Sequence, residues 1–189
     1  MCHAFLQNPN FLLLLLQIDT DLAVKMHVSG CFYCTGKLHR ANYPRKPRCC
    51  LDELFDDFSF RFSFCCSVCR LRHTSVSVRF LGRRVYLGLA VVLMSASRTA
   101  DTSKVARLGG MLHVPTLTIQ RWREWWASQF PHTTLWQAEC ARFMPPVRLC
   151  DLPDSLIDRF SSPIQEAMKK LLIFLSPLTV SQVTLNEVR

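Results

Sequence analysis

Cys31-Phe32-Tyr33-Cys34 and Cys66-Ser67-Val68-Cys69 are two Cys-x-x-Cys turns separated by 31 residues. Such turns deliver sulfurs in pairs, and two of them complete the tetrahedral thiolate set that holds zinc at roughly 2.3 Å per bond. Four thiolates leave no coordination position for water or substrate, so the spacing predicts a structural Zn2+ on Cys31, Cys34, Cys66 and Cys69 rather than a hydrolytic centre. Cys65 and His73 stand close enough to the second turn to exchange with one of these ligands. A thioredoxin-like pair would place one motif at a helix N-terminus after a strand, and neither turn has those surroundings.

The flanking residues read as β structure. Phe58-Ser59-Phe60-Arg61-Phe62-Ser63-Phe64 alternates with period two, which predicts four phenylalanines on one face of a strand entering the second turn. Val76, Val78 and Phe80 alternate with Ser75, Ser77 and Arg79, which predicts a second strand, so that a hairpin-like pair flanks the second turn. Lys37 to Tyr43 reads as a strand broken by the basic loop Pro44-Arg45-Lys46-Pro47-Arg48. That loop and the acidic stretch Asp52, Glu53, Asp56 and Asp57 house the interval between the turns, which exceeds the roughly 15 to 20 residues of compact ribbons. Cys49-Cys50 reads as a pair of incidental thiols, and Cys2, Cys140 and Cys150 as small buried hydrophobes.

Around the ribbon the pattern is helical. Residues 5–28 read as two helical pieces, the second capped by Asp19 or Thr20. Val85 to Ser97 reads as an apolar helix. Asp101, Thr102 or Ser103 can cap a helix through Leu112, and another follows Pro115 or Thr116 to about Ser128, so the pair suggests a helix-turn-helix. Ile119, Trp122 and Trp126 form its inward stripe. Further helices are expected over 133–143, 152–160 and 164–175. The fold class is therefore α+β, with a helical segment over 1–30, a small β zinc ribbon over 31–84, a helix-turn-helix region over 85–130 and a helical cap over 131–189.

Twenty-three basic and 14 acidic residues give a formal charge of +9, which suits a polyanionic partner, and 49% hydrophobic content excludes a disordered tail. The apolar runs Phe11 to Leu16 and Val85 to Met94 are too short for a membrane span. Met1-Cys2-His3-Ala4 lacks the basic start of a secretory signal, so the thiols are read as reduced and the chain as cytoplasmic. We find no carboxylate set for two-metal chemistry and no glycine-rich phosphate loop, and the expectation is a protein without catalytic activity.

Residues 31–48, with Ser63-Phe64-Cys65-Cys66 and Ser77 to Gly88, resemble small bacterial transposon-associated proteins of transposase-like type. The resemblance implies a mobile-element setting. The first turn of that family resembles Cys-Pro-x-Cys-Gly-Gly, whereas Phe32 and Thr35 stand here. Together with the charge, the leading expectation is a protein that binds duplex DNA. Arg45, Lys46, Arg48, Arg79, Arg83 and Arg84 are its candidate contacts on the ribbon, and Thr116, Thr118, Gln120, Arg121 and Arg123 those on the recognition helix. An adaptor docking a transposase subunit is the alternative, and a degenerate transposase the more distant one.

Overall fold

The computed structural model describes residues 2–81, 86–96, 109–160 and 163–180, with side chains from Phe5 onward. After a 3-10 turn over Cys2–Gln7, a single helix, α1, runs over Pro9–Ser29. Asn8 caps it by accepting from the Phe11 amide at 3.1 Å, Pro9 fits its first turn, and Gly30 ends it at φ 73. The two-piece expectation is corrected here. Asp19 is not a cap; it follows Phe11, Leu12 and Leu15 along the buried stripe of one continuous helix.

The β structure is small and antiparallel. Strands β1 (Leu38–Arg40), β4 (Ser63–Cys66) and β5 (Arg72–Thr74) form one sheet in the order β1-β4-β5, and β2 (Tyr43–Pro44) pairs with β3 (Phe60–Arg61). The register sets Leu38 opposite Cys66 and Phe64 opposite His73. The Lys37 to Tyr43 strand is thus two short pieces. The phenylalanine strand is broken as well: Phe58 ends a helical turn, α2 (Phe55–Phe58), and Arg61 and Ser63 are buried between the aromatic positions. Both faces of this segment are covered, so alternation does not separate an inside from an outside.

A larger correction concerns residues 75–80. They form no strand apart from a bridge at Phe80, and their polar side faces inward: Ser75, Ser77 and Arg79 are all buried. The reason is Asp19. Its carboxylate accepts from Arg79 Nε at 2.7 Å, from Ser77 Oγ at 2.5 Å and from the Val78 amide at 2.6 Å. Arg79 also donates to the carbonyls of Asp57 and Phe60, and its guanidinium lies 5.2 to 5.4 Å from the ring centroids of Phe58, Phe60, Phe62 and Phe80. Beside it, buried Arg61 donates to the carbonyls of Ser75 and Thr179 and to the Thr179 hydroxyl. Burial pulls Arg61 below the ordinary arginine range, with Asp19 opposing the shift.

The helical body supplies most of the core. In α3 (Gly88–Ala96) every residue from Gly88 to Ser95 is buried, as befits a helix apolar on all sides. Helix α4 (Thr116–Glu124) continues through a π turn over Trp125–Gln129, and Ile119, Trp122 and Trp126 are buried along it as the spacing predicts. Then come α5 (Thr134–Glu139), α6 (Asp154–Ile157) and α7 (Ile164–Leu175), close to their expected positions. Thr133 caps α5 by accepting from the Trp136 amide. One large cluster joins these helices to the first half of α1 and to Cys49, Leu54 and Phe58 of the long interval between the turns. A separate small cluster holds Ala23, Cys31, Leu38, Phe64 and Cys66. The chain is α+β, and among the described residues no helix is long and apolar enough to cross a membrane.

Candidate metal centre

Each Cys-x-x-Cys turn folds back on its own first cysteine. The Tyr33 amide points at Cys31 Sγ and the Val68 amide at Cys66 Sγ, both at 3.4 Å, so two backbone donors stabilise sulfur charge in equivalent places. In both turns the residue after the second cysteine is left-handed: Thr35 has φ 57 and Arg70 φ 62. The turns are then tied together, with the Ser67 amide donating to the Lys37 carbonyl at 2.9 Å and β1 pairing with β4. Gly36 lies where the turns meet. A Cβ there would stand 2.9 Å from Cys66 Sγ, so only glycine lets the backbone pass.

As a result the sulfurs of Cys31, Cys34, Cys66 and Cys69 all lie within 4.8 Å of one another. Cys31 and Cys69 approach to 3.5 Å and Cys34 and Cys66 to 3.4 Å, well outside the roughly 2.05 Å of a disulfide. This cluster could hold a metal ion. Its thiols are electrostatically coupled. Burial pushes Cys66 up, but the amides of Cys69 and Val68 and the neighbouring thiols outweigh it and bring it down to about 6. Cys69 accepts a hydrogen bond from the Leu71 amide, which lowers it, yet burial and its place as donor to the other sulfurs drive it up to about 12. Cys66 and Cys69 shift in opposite directions because they share hydrogen bonds within one crowded cluster.

The two candidate substitutes differ. His73 is buried with Nε2 3.2 Å from Cys31 Sγ, where it hydrogen-bonds a ligand sulfur from outside the cluster, whereas Cys65 Sγ turns away to the carbonyl of Arg70. Cys49 and Cys50 lie apart from the site, and burial pushes them up to about 12 and about 11. Cys150 is exposed rather than buried, and Cys140 is half-buried.

The candidate DNA contacts are only partly assembled. Arg79 is corrected: it is buried against Asp19 and offers nothing to an external phosphate. Arg83 and Arg84 lie outside the described residues, as do residues 101–108 of the first helix of the expected helix-turn-helix. Lys46 and Arg48 are exposed and Arg45 is half-buried beneath Tyr43. On α4, Thr116, Gln120 and Arg121 are exposed, while Thr118 and Arg123 are half-buried. Contact between the two regions was not visible in the sequence. Arg48 Nη1 donates to the Tyr86 hydroxyl at 3.1 Å, and the Tyr86 ring meets Trp122 of α4 at 5.0 Å, which joins the basic loop to the helix.

Thr35 gives a direct test of the turn geometry. A β-branched residue in the left-handed region pays roughly 1–2 kcal/mol, partly offset because glycine loses more entropy on folding. Thr35→Gly is expected to stabilise the metal-bound protein by about 1 kcal/mol, read as a higher denaturation midpoint at unchanged slope; a lower midpoint would refute it. No protein-family model, curated protein or solved structure matches the chain.

Proposed function

We propose that this protein is a non-enzymatic nucleic-acid-binding module in which Cys31, Cys34, Cys66 and Cys69 hold a structural Zn2+ and a basic surface grips duplex DNA. The observation that carries the reading is the sulfur cluster. Tetrahedral bonds of roughly 2.3 Å set sulfurs about 3.8 Å apart, and the pairs at 3.4 and 3.5 Å within a 4.8 Å envelope need only small adjustments to reach it. The zinc supplies no chemistry beyond holding the two turns; it fixes the ribbon so that its basic residues keep their places.

The surface reading rests on charge. Residues 31–50 and 58–80 contain Lys37, Arg40, Arg45, Lys46, Arg48, Arg61, Arg70, Arg72 and Arg79 and no aspartate or glutamate. Except for Arg61 and Arg79 these side chains are exposed or half-exposed, and Arg48 is held next to α4, whose Gln120 and Arg121 face solvent. Phosphate contacts of this kind give salt-dependent affinity. The resemblance of residues 31–88 to transposon-associated proteins suggests a mobile element as the setting, a transposase subunit as a further partner and the reducing cytoplasm as the compartment. A protein-interaction adaptor is the second reading, favoured by exposed Phe32, Tyr33, Val68 and Leu71.

Protein purified without added metal should carry one zinc per chain and bind a duplex with an affinity that falls as salt rises. Lys46→Ala combined with Arg121→Ala should reduce the slope of log affinity against log salt by about 1.8, since each phosphate contact contributes about 0.9. A duplex affinity indifferent to salt and to both substitutions would end the DNA reading.

A further inference from the structure

We infer that the paired tips of the two Cys-x-x-Cys turns form a stacking platform for unpaired bases of a single-stranded nucleic acid, an inference that deepens the nucleic-acid reading and rests on it. The tip residues are not the small polar ones that surface turns favour. Phe32 is 70% exposed, Val68 69%, Tyr33 49% and Leu71 43%, while the sulfurs beneath them are buried or half-buried. The Phe32 and Tyr33 rings pack on the buried His73 ring, at centroid distances of 5.5 and 5.8 Å, which anchors them without covering their outer surfaces. The Ser67 to Lys37 backbone bond holds the two tips side by side. An apolar patch of this kind, fixed in place and open to solvent, marks a contact site.

Charge selects the occupant. Lys37 leaves the first turn and Arg70 leaves the second, both exposed, and no carboxylate occurs anywhere in 31–50 or 58–80. Aromatic faces next to Lys37 and Arg70, on stretches that carry no carboxylate, suit a polyanion with aromatic rings of its own. In a duplex those rings are stacked on one another and closed to Phe32 and Tyr33, whereas an unpaired strand can lay bases on the tips and phosphates against Lys37 and Arg70. The basic loop and α4 remain available to a duplex, so the tips would engage a strand where the duplex opens.

The test compares the zinc-loaded full chain on three fluorescent probes: an oligo(dT) of about 16 nucleotides, an oligo(U) of equal length and a duplex. Binding of either single strand through the tips supports the inference, and the tighter one identifies DNA or RNA as the source. Phe32→Leu with Tyr33→Leu keeps apolar bulk over His73 and removes both aromatic faces, so zinc content should be unchanged. Single-strand affinity should fall about tenfold per ring, while duplex affinity holds. Lys37→Ala with Arg70→Ala should lower the single-strand salt slope by about 1.4. If single-strand affinity is unmoved by the leucine pair, the platform is wrong and the tips are left to a protein partner, even though duplex binding persists. If neither single strands nor duplex bind at all, the broader nucleic-acid reading falls first and takes this inference with it.

Discussion

Asp19→Ala is expected to destabilise the protein by about 3–5 kcal/mol, measured as a fall in denaturation midpoint, because it strands the Arg79 guanidinium in the core without its carboxylate. That is a large share of the 5–15 kcal/mol typical of a folded domain. The loss is not confined to one ion pair. Asp19 also receives the Ser77 hydroxyl and the Val78 amide, so its removal leaves two more buried donors without an acceptor. The helix itself should survive, since alanine is a better helix former than aspartate. A second substitution separates charge burial from packing. Arg79→Met leaves an unbranched apolar chain among Phe58, Phe60, Phe62 and Phe80, so Asp19→Ala with Arg79→Met should cost less than the two single losses added together. Full additivity would mean that the pair is not coupled, and a loss below about 1 kcal/mol for Asp19→Ala would mean that water reaches Arg79.

This network explains where sequence reasoning fell short. Period-two alternation assigns Ser75, Ser77 and Arg79 to solvent because their neighbours Val76, Val78 and Phe80 are apolar. The assignment presumes that a polar side chain has only water to satisfy it. Here Asp19, 60 residues upstream of Arg79, supplies the acceptor, and nothing in a local window couples positions so far apart. One signal was present: a carboxylate four residues after Leu15 on an otherwise apolar helical stripe has no reason to be there unless a donor meets it. The helices were more legible. Ile119, Trp122 and Trp126 declare their buried face through spacing alone, and the C-terminal helices are punctuated by Pro145-Pro146, Pro153 and Pro163. The sulfur cluster was legible for another reason. A Cys-x-x-Cys turn brings its own sulfurs together, so the pairing needs only one long-range event, the meeting of β1 and β4. What the spacing did not reveal is how the long interval is used: Cys49, Leu54 and Phe58 pack into the main core and thereby fasten the two cysteine turns to the helices.

If the sulfur cluster holds zinc as proposed, removal of the metal should unfold the small β unit around it while the helical body stays folded. The two clusters differ too much in size to respond alike. The small cluster has only Leu38 and Phe64 as fully buried large side chains, worth about 1.5–3 kcal/mol each, beside Ala23, Cys31 and Cys66, with half-buried Met26 and Phe62 packed against them. Ordering backbone costs about 1–2 kcal/mol per residue, so a cluster of this size does not by itself hold β1, β4 and β5 in place. Structural zinc contributes about 10–16 kcal/mol in zinc-finger peptides, so under the proposed zinc reading a bound ion would supply most of what holds this small β unit together. Chelation should therefore abolish hydrogen-exchange protection at the Cys31, Cys66 and Ser67 amides, which close the turns and the sheet. The amides of α3 and α7 should keep theirs, since Leu89, Val92, Leu171 and Leu172 belong to the large cluster. Cys31→Ser should reproduce the chelated pattern, because it withdraws one thiolate and the sulfur to which His73 and the Tyr33 amide bond. Protection that vanishes everywhere at once would mean that Asp19, Arg61 and Thr179 transmit the loss of the ribbon to the helices. Protection that stays in β1, β4 and β5 after the metal is gone would show that the sulfur cluster is packing rather than a metal centre.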